Sequence, residues 1–114
     1  MEDIILEIRE KIFGRKTEIL TFLEEMVSIN SYSRNYEGIN LVGELVRRYM
    51  PAGLDRDVST DRNGVNHHLF STGVEEEGEN LVLLGHVHTV FPPDTDSRKY
   101  EVSGENIFGA CTPI

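Results

Sequence analysis

A short apolar run at residues 80–85 constrains the fold of this chain more than any other feature. Its residues are Asn-Leu-Val-Leu-Leu-Gly, with four consecutive large aliphatic side chains and no charge. Such a run suits a strand that is buried on both faces, as in a sheet covered by helices. We therefore expect neighbouring strands beside residues 80–84 and helices above and below them.

Two helical segments precede the run. Apolar residues recur at three- and four-residue steps from about residue 3 to residue 28, which is typical of one apolar helix face. Gly14 interrupts this pattern, so the segment is either one bent helix or two helices. The same periodicity predicts a helix over residues 37–49, which Pro51 ends because proline cannot continue the backbone hydrogen bonds.

Short strands are predicted after the helices. A turn containing Asn63-Gly64 separates the first pair, and Ser103-Gly104 separates the second. The predicted strands are 54–60, 66–71, 100–102 and 106–108. Helices followed by strands, with a central apolar strand among them, predict an α/β layered fold.

The composition excludes several classes of protein. The 114 residues include 20 acidic and 11 basic side chains, giving a net charge of -9, and 39% of the residues are hydrophobic. These values argue against a disordered chain, a nucleic-acid binder and a protein that docks on anionic membranes. The acidic N-terminus is unlike a secretory signal, and the single Cys111 excludes an internal disulfide. We expect a cytoplasmic protein.

The chemically informative residues are His86 and His88, directly after the apolar run. Side chains at i and i+2 of a strand point to the same side, and functional sites of open α/β sheets gather at the carboxyl ends of strands. Imidazole is a common zinc ligand. The alternative interpretation is one packed histidine and one solvated histidine.

Structural explanations are favoured for the other candidates. His67 and His68 are adjacent on a predicted strand and should face opposite ways. The acidic cluster of residues 75–79 is interpreted as a solvated loop rather than a cation site. Cys111 has no basic neighbour that would make it reactive. Four further residues are interpreted as loop residues without a catalytic context: Ser31, Ser33, Asp94 and Asp96.

The segment 85–90, Gly-His-Val-His-Thr-Val, resembles the Gly-His-x-Asp-Thr-Val motif of the zinc carboxypeptidase and amino-acid deacylase family. That family includes glutamate carboxypeptidase, acetylornithine deacetylase and succinyl-diaminopimelate desuccinylase. The chain looks most similar to the glutamate carboxypeptidase branch. The resemblance extends to residues 22–31, 40–50, 80–84 and 104–109, so it covers nearly the whole chain.

The resemblance implies the N-terminal portion of a layered zinc-exopeptidase catalytic domain, with two helices followed by strands of a mixed sheet. Residues 1–114 would form a single incomplete catalytic-domain fragment. A complete family member holds two zinc ions bridged by an aspartate and a water, uses a glutamate as general base, and cleaves small peptides or N-acyl amino acids. By the same resemblance, His86 matches a zinc ligand, and position 88 matches the aspartate that orients this ligand.

Two departures from the family pattern change the expected function. Position 88 is His88 rather than aspartate, and Ile114 stands where the bridging aspartate would be. The remaining metal ligands and the general base have no counterpart in the 114 residues, so we expect a truncated or frameshifted hydrolase that is inactive alone. The alternative is a non-catalytic metal-binding or protein-interaction module. Self-association through an exposed sheet edge is also expected.

Overall fold

The computed structural model describes residues 1–73, 78–92 and 100–109. These residues form three helices followed by two antiparallel hairpins, which confirms the mixed helix-and-strand class. The elements are α1 (Glu2–Gly14), α2 (Lys16–Ser28), α3 (Tyr36–Tyr49), β1 (Asp55–Thr60), β2 (Asn66–Ser71), β3 (Glu101–Ser103) and β4 (Asn106–Phe108).

The first helical segment is two helices, which decides between the two alternatives that the sequence left open. The break lies at Arg15, whose backbone has φ -104° and ψ 11°. The Arg15 guanidinium donates to both carboxylate oxygens of Glu18, at 2.9 and 2.8 Å. No residue of α1 is buried, so its apolar stripe faces solvent.

Helix α3 carries the core of the described structure. Ile39, Val42 and Leu45 recur on one face and are only 1–5% exposed. The helix begins because the Asn35 side chain accepts a hydrogen bond from the Gly38 backbone N–H at 3.1 Å. The predicted end before Pro51 is confirmed, since α3 ends at Tyr49.

The β1–β2 hairpin packs on α3. Its register pairs Thr60 with Asn66 across a turn in which Gly64 has a φ of 80°, as the Asn-Gly prediction required. The Asn40 side chain of α3 fastens this end of the hairpin: its amide donates to the Gly64 carbonyl and its oxygen accepts from the Asn66 N–H, both at 2.8 Å.

The prediction of a buried strand at residues 80–84 is wrong. This segment forms no strand, and the four apolar side chains of residues 81–84 are 78–97% exposed. A strand buried on both faces needs hydrogen-bonded neighbours and covering helices. In the part of the chain that the structure describes, β1 pairs only with β2 and β3 only with β4, so the run has no sheet to enter.

The expected arrangement of two helices and a mixed sheet is corrected for the same reason. The described residues form three helices and two separate antiparallel sheets of two strands each. The short hairpin after residue 100 is confirmed, with Gly104 at φ 63° in its turn.

Several residues considered in the sequence are not among those that the structure describes. They are residues 75–77, Asp94, Asp96, Cys111 and Ile114.

Within residues 1–73, 78–92 and 100–109, no helix combines the length and the hydropathy that crossing a membrane requires.

Candidate functional site

His86 and His88 lie immediately before Thr89, whose backbone is hydrogen-bonded to the turn between α2 and α3. The Thr89 N–H donates to the Ser31 carbonyl at 2.7 Å, and the Ser33 N–H donates to the Thr89 carbonyl at 2.9 Å. The Ser33 hydroxyl donates to the same carbonyl at 3.0 Å. Thr89 therefore forms a parallel β-bridge with the turn between α2 and α3, and this clamp places the two histidines beside that turn.

The turn that receives Thr89 is itself held from within. The Asn35 side-chain amide donates to the Asn30 carbonyl at 2.7 Å and to the Asn30 side-chain oxygen at 3.1 Å. Ser31 is buried between these groups and the clamp. The polar run predicted as a turn is thus held by its own side chains and accepts the histidine segment through Thr89.

The two imidazoles lie near each other at the surface. Their ring centroids are 5.0 Å apart and their planes are inclined by 45°. His86 Nδ1 lies 3.1 Å from the backbone carbonyl of His88. A carbonyl only accepts, so this bond requires the proton on Nδ1 and leaves the Nε2 lone pair free for a metal.

The contact between His86 and the His88 carbonyl is relevant to position 88, where this chain has histidine and the family motif has aspartate. In the resemblance described above, a side-chain carboxylate at that position would orient the histidine. Here the backbone oxygen of the same residue accepts the imidazole N–H. Backbone carbonyls are ordinary partners of metal-binding histidines, although they bring no full charge to raise the basicity of the ring.

The described residues do not complete a catalytic zinc centre. They contain no group of three or more histidine, cysteine, aspartate or glutamate side chains that could hold a metal ion. Catalytic zinc has three protein ligands and an open position, whereas His86 and His88 together offer two imidazoles.

The adjacent histidines of β2 face opposite ways, as the strand pattern predicts. His67 is exposed and lies 3.5 Å from an Asp61 oxygen. His68 turns towards α3, where its Nε2 is buried and has no hydrogen-bond partner among the described residues. Burial and the nearby Arg56 lower the pKa of His68, and Glu44 opposes this shift.

Sequence reasoning missed a cluster of arginines around an open cavity of about 420 Å³. The cavity lies between the end of α3 and the start of β1, and Arg47, Arg48 and Arg56 line it. The sequence carried a partial signal, because Arg47-Arg48 precedes Pro51 at a predicted helix end. Basic residues in that position are usual for the helix dipole, so the pair alone did not indicate a cavity.

Comparisons of the chain with protein-family models, with curated proteins and with solved structures find no match. The likeness to zinc carboxypeptidases and deacylases therefore rests on the residues of the motif and on their order along the chain.

Proposed function

We propose that this chain is the N-terminal portion of a zinc-dependent amide hydrolase of the metallo-carboxypeptidase and N-acyl amino acid deacylase type. The observation that carries the proposal is the state of His86 within Gly-His-Val-His-Thr-Val. Its Nδ1 is engaged by the His88 carbonyl, which leaves Nε2 at the exposed surface. A zinc-binding histidine commonly donates one ring N–H to such a partner and binds the metal through its other ring nitrogen.

The proposed substrates are small peptides or N-acyl amino acids. Zinc, when bound, would activate a water and polarise the scissile carbonyl. The part played by the described residues is narrower: His86 binds the ion, the His88 carbonyl holds the ring, and the Thr89 clamp holds the segment. The centre needs ligands beyond those of the described residues, so we expect no turnover by the 114-residue chain alone.

The second candidate function is a non-catalytic metal-binding or interaction module. The proximity of the two exposed imidazoles favours it, since both could bind one ion directly. In this case His88 would act as a ligand rather than as the residue that orients His86. The two functions thus differ in whether the His88 side chain binds the ion.

Zinc titration by calorimetry tests both functions on the full chain. We expect binding that His86→Ala removes and that His67→Ala leaves unchanged, because His67 lies on β2 and interacts with Asp61. Equal zinc binding by the wild type and the His86→Ala variant would refute the assigned role of His86. Hydrolysis of N-acyl amino acids by the chain in the presence of zinc would refute the claim that it holds only part of the zinc centre.

The variant His88→Asp separates the two functions. If position 88 orients His86, the carboxylate should tighten zinc binding by about 10–100-fold. If the His88 ring is a ligand, the same substitution should remove a nitrogen ligand and weaken binding. The sign of the change therefore distinguishes a hydrolase remnant from a two-histidine metal module.

A further inference from the structure

The cavity between α3 and β1 concentrates positive charge in an acidic protein. The chain has a net charge of -9, and Arg47, Arg48 and Arg56, three of its 11 basic residues, line this one cavity. None of them belongs to the histidine segment at residues 85–90. The feature is therefore independent of the proposed hydrolase function.

The backbone explains how the three arginines meet. Arg47 and Arg48 occupy the last turn of α3. Pro51 then stops the helix, Gly53 takes a positive φ of 92° in the turn that follows, and Arg56 of β1 joins the lining of the same cavity. The helix dipole gives a reason for the first two arginines, since cations are favoured at a C-terminus. It gives no reason for Arg56, which lies on a strand.

One carboxylate positions two of the three guanidiniums. Glu44 accepts from Arg47 Nε at 2.7 Å and from Arg56 Nη2 at 2.6 Å. The Arg47 and Arg56 side chains are only 41% and 30% exposed. Each guanidinium has five N–H donors, so both retain donors after binding Glu44. With Arg48, the local charge of this set remains positive by two.

Apolar residues supply the rest of the lining. Phe70 of β2 forms part of the wall, together with Met50, Pro51 and Leu54 from the end of α3 and the turn after it. A volume of about 420 Å³ lies within the range of small-molecule sites, roughly 300–1,000 Å³. The lining thus combines an apolar wall with fork-shaped cations that match phosphate and carboxylate oxygens.

We propose that this cavity binds a small organic dianion, either a phosphate monoester or a dicarboxylate, with its apolar part against Phe70. The dianion complements the surplus of two positive charges, and the apolar wall distinguishes an organic ligand from a bare inorganic ion. Glu44 serves as a positioning residue that holds Arg47 and Arg56 in place before the ligand arrives.

The test measures binding of four probes to the full chain at low salt: phenyl phosphate, inorganic phosphate, phenylsuccinate and phenol. Phenyl phosphate or phenylsuccinate should bind, and phenol should not. Tighter binding of phenyl phosphate than of phenylsuccinate identifies the phosphate monoester as the ligand class, and the reverse order identifies the dicarboxylate. Phenyl phosphate should also bind more tightly than inorganic phosphate, because its ring contacts Phe70; equal binding of the two would overturn the role of the apolar wall.

The matched variants are Arg48→Gln and Arg62→Gln, which make the same change of charge. Arg62 lies in the β1–β2 turn, at the far end of the hairpin from Arg56. Arg48→Gln should weaken binding by about 10–100-fold, the usual loss for a charge-assisted hydrogen bond. Arg62→Gln should change it by no more than about twofold, since distant surface charges are screened.

Both arginines are exposed, so neither substitution should unfold the protein. Circular dichroism of each variant confirms this before binding is measured. Equal effects of the two substitutions would overturn the proposal, because the attraction would then be general. Binding of phenol as strong as that of phenyl phosphate, or no binding of any dianion, would also overturn it.

Discussion

Replacement of Gly38 by alanine should destabilise the turn between α2 and α3 that holds the histidine segment. Gly38 lies in the first turn of α3 and is buried. A Cβ at this position would collide with the Asn30 carbonyl oxygen and would lie 2.6 Å from Asn35 Nδ2. The substitution would therefore push apart the two residues whose hydrogen bonds close the turn.

The expected magnitude follows from opposing effects. Alanine favours a helix interior over glycine by about 1 kcal/mol. Overpacking a filled site costs about 1–3 kcal/mol. Displacing Asn35 also weakens its cap on Gly38 and its bond to the Asn30 carbonyl, each worth about 1 kcal/mol. The free energy of unfolding should fall by about 2–4 kcal/mol overall.

Urea denaturation followed by circular dichroism measures this loss. Gly14→Ala is the matched control, because a Cβ there meets nothing within 4 Å. It should leave stability unchanged or raise it by up to about 1 kcal/mol. If Gly38→Ala unfolds the chain outright, Asn35→Ala should still give a measurable loss of about 1 kcal/mol. A Gly38→Ala protein as stable as the wild type would refute the reasoning.

Three further substitutions test other parts of the structure. The pKa of His68 is lowered in the folded state, so the unfolded chain takes up a proton first as the pH falls. The free energy of unfolding should therefore decrease as the pH drops below about 6.5. His68→Gln should flatten this pH dependence in denaturation curves measured at several pH values. Asn40→Ala should cost about 1–3 kcal/mol in the same assay, because it leaves the Gly64 carbonyl and the Asn66 N–H without their partner. We also expect concentration-dependent self-association through the exposed apolar side chains of residues 81–84. Leu83→Lys should shift sedimentation velocity profiles towards the monomer. An unchanged profile would exclude this surface as the site of association.

The sequence predicted best those elements that local chemistry decides. The apolar stripe and Pro51 predicted α3 to within one residue, and the Asn63-Gly64 pair predicted the hairpin turn. In both cases the residues that specify the element are its own neighbours in the chain. No distant contact had to be known.

Predictions that depended on distant parts of the chain were less successful. The run at 81–84 has the composition of a buried strand, but burial requires partners that composition cannot supply. The cavity was missed because Arg56 lies beyond the end of α3 in the sequence and meets Arg47 and Arg48 only in the folded chain, where it binds Glu44. The proximity of His86 and His88 followed from their spacing, whereas the Thr89 clamp beside them did not.

The Thr89 clamp also sets an order of events in folding. Ser33 and Thr89 are 56 residues apart, so closing this contact has a length-dependent entropy cost of about 3.6 kcal/mol. The α3 helix and the β1–β2 hairpin lie inside that loop and form from nearby residues. They should therefore form in the early kinetic phase, and closure of the loop should follow. The contact between His86 and His88 is local and needs no distant segment, whereas the place of the pair beside the α2–α3 turn is reached only at that last step.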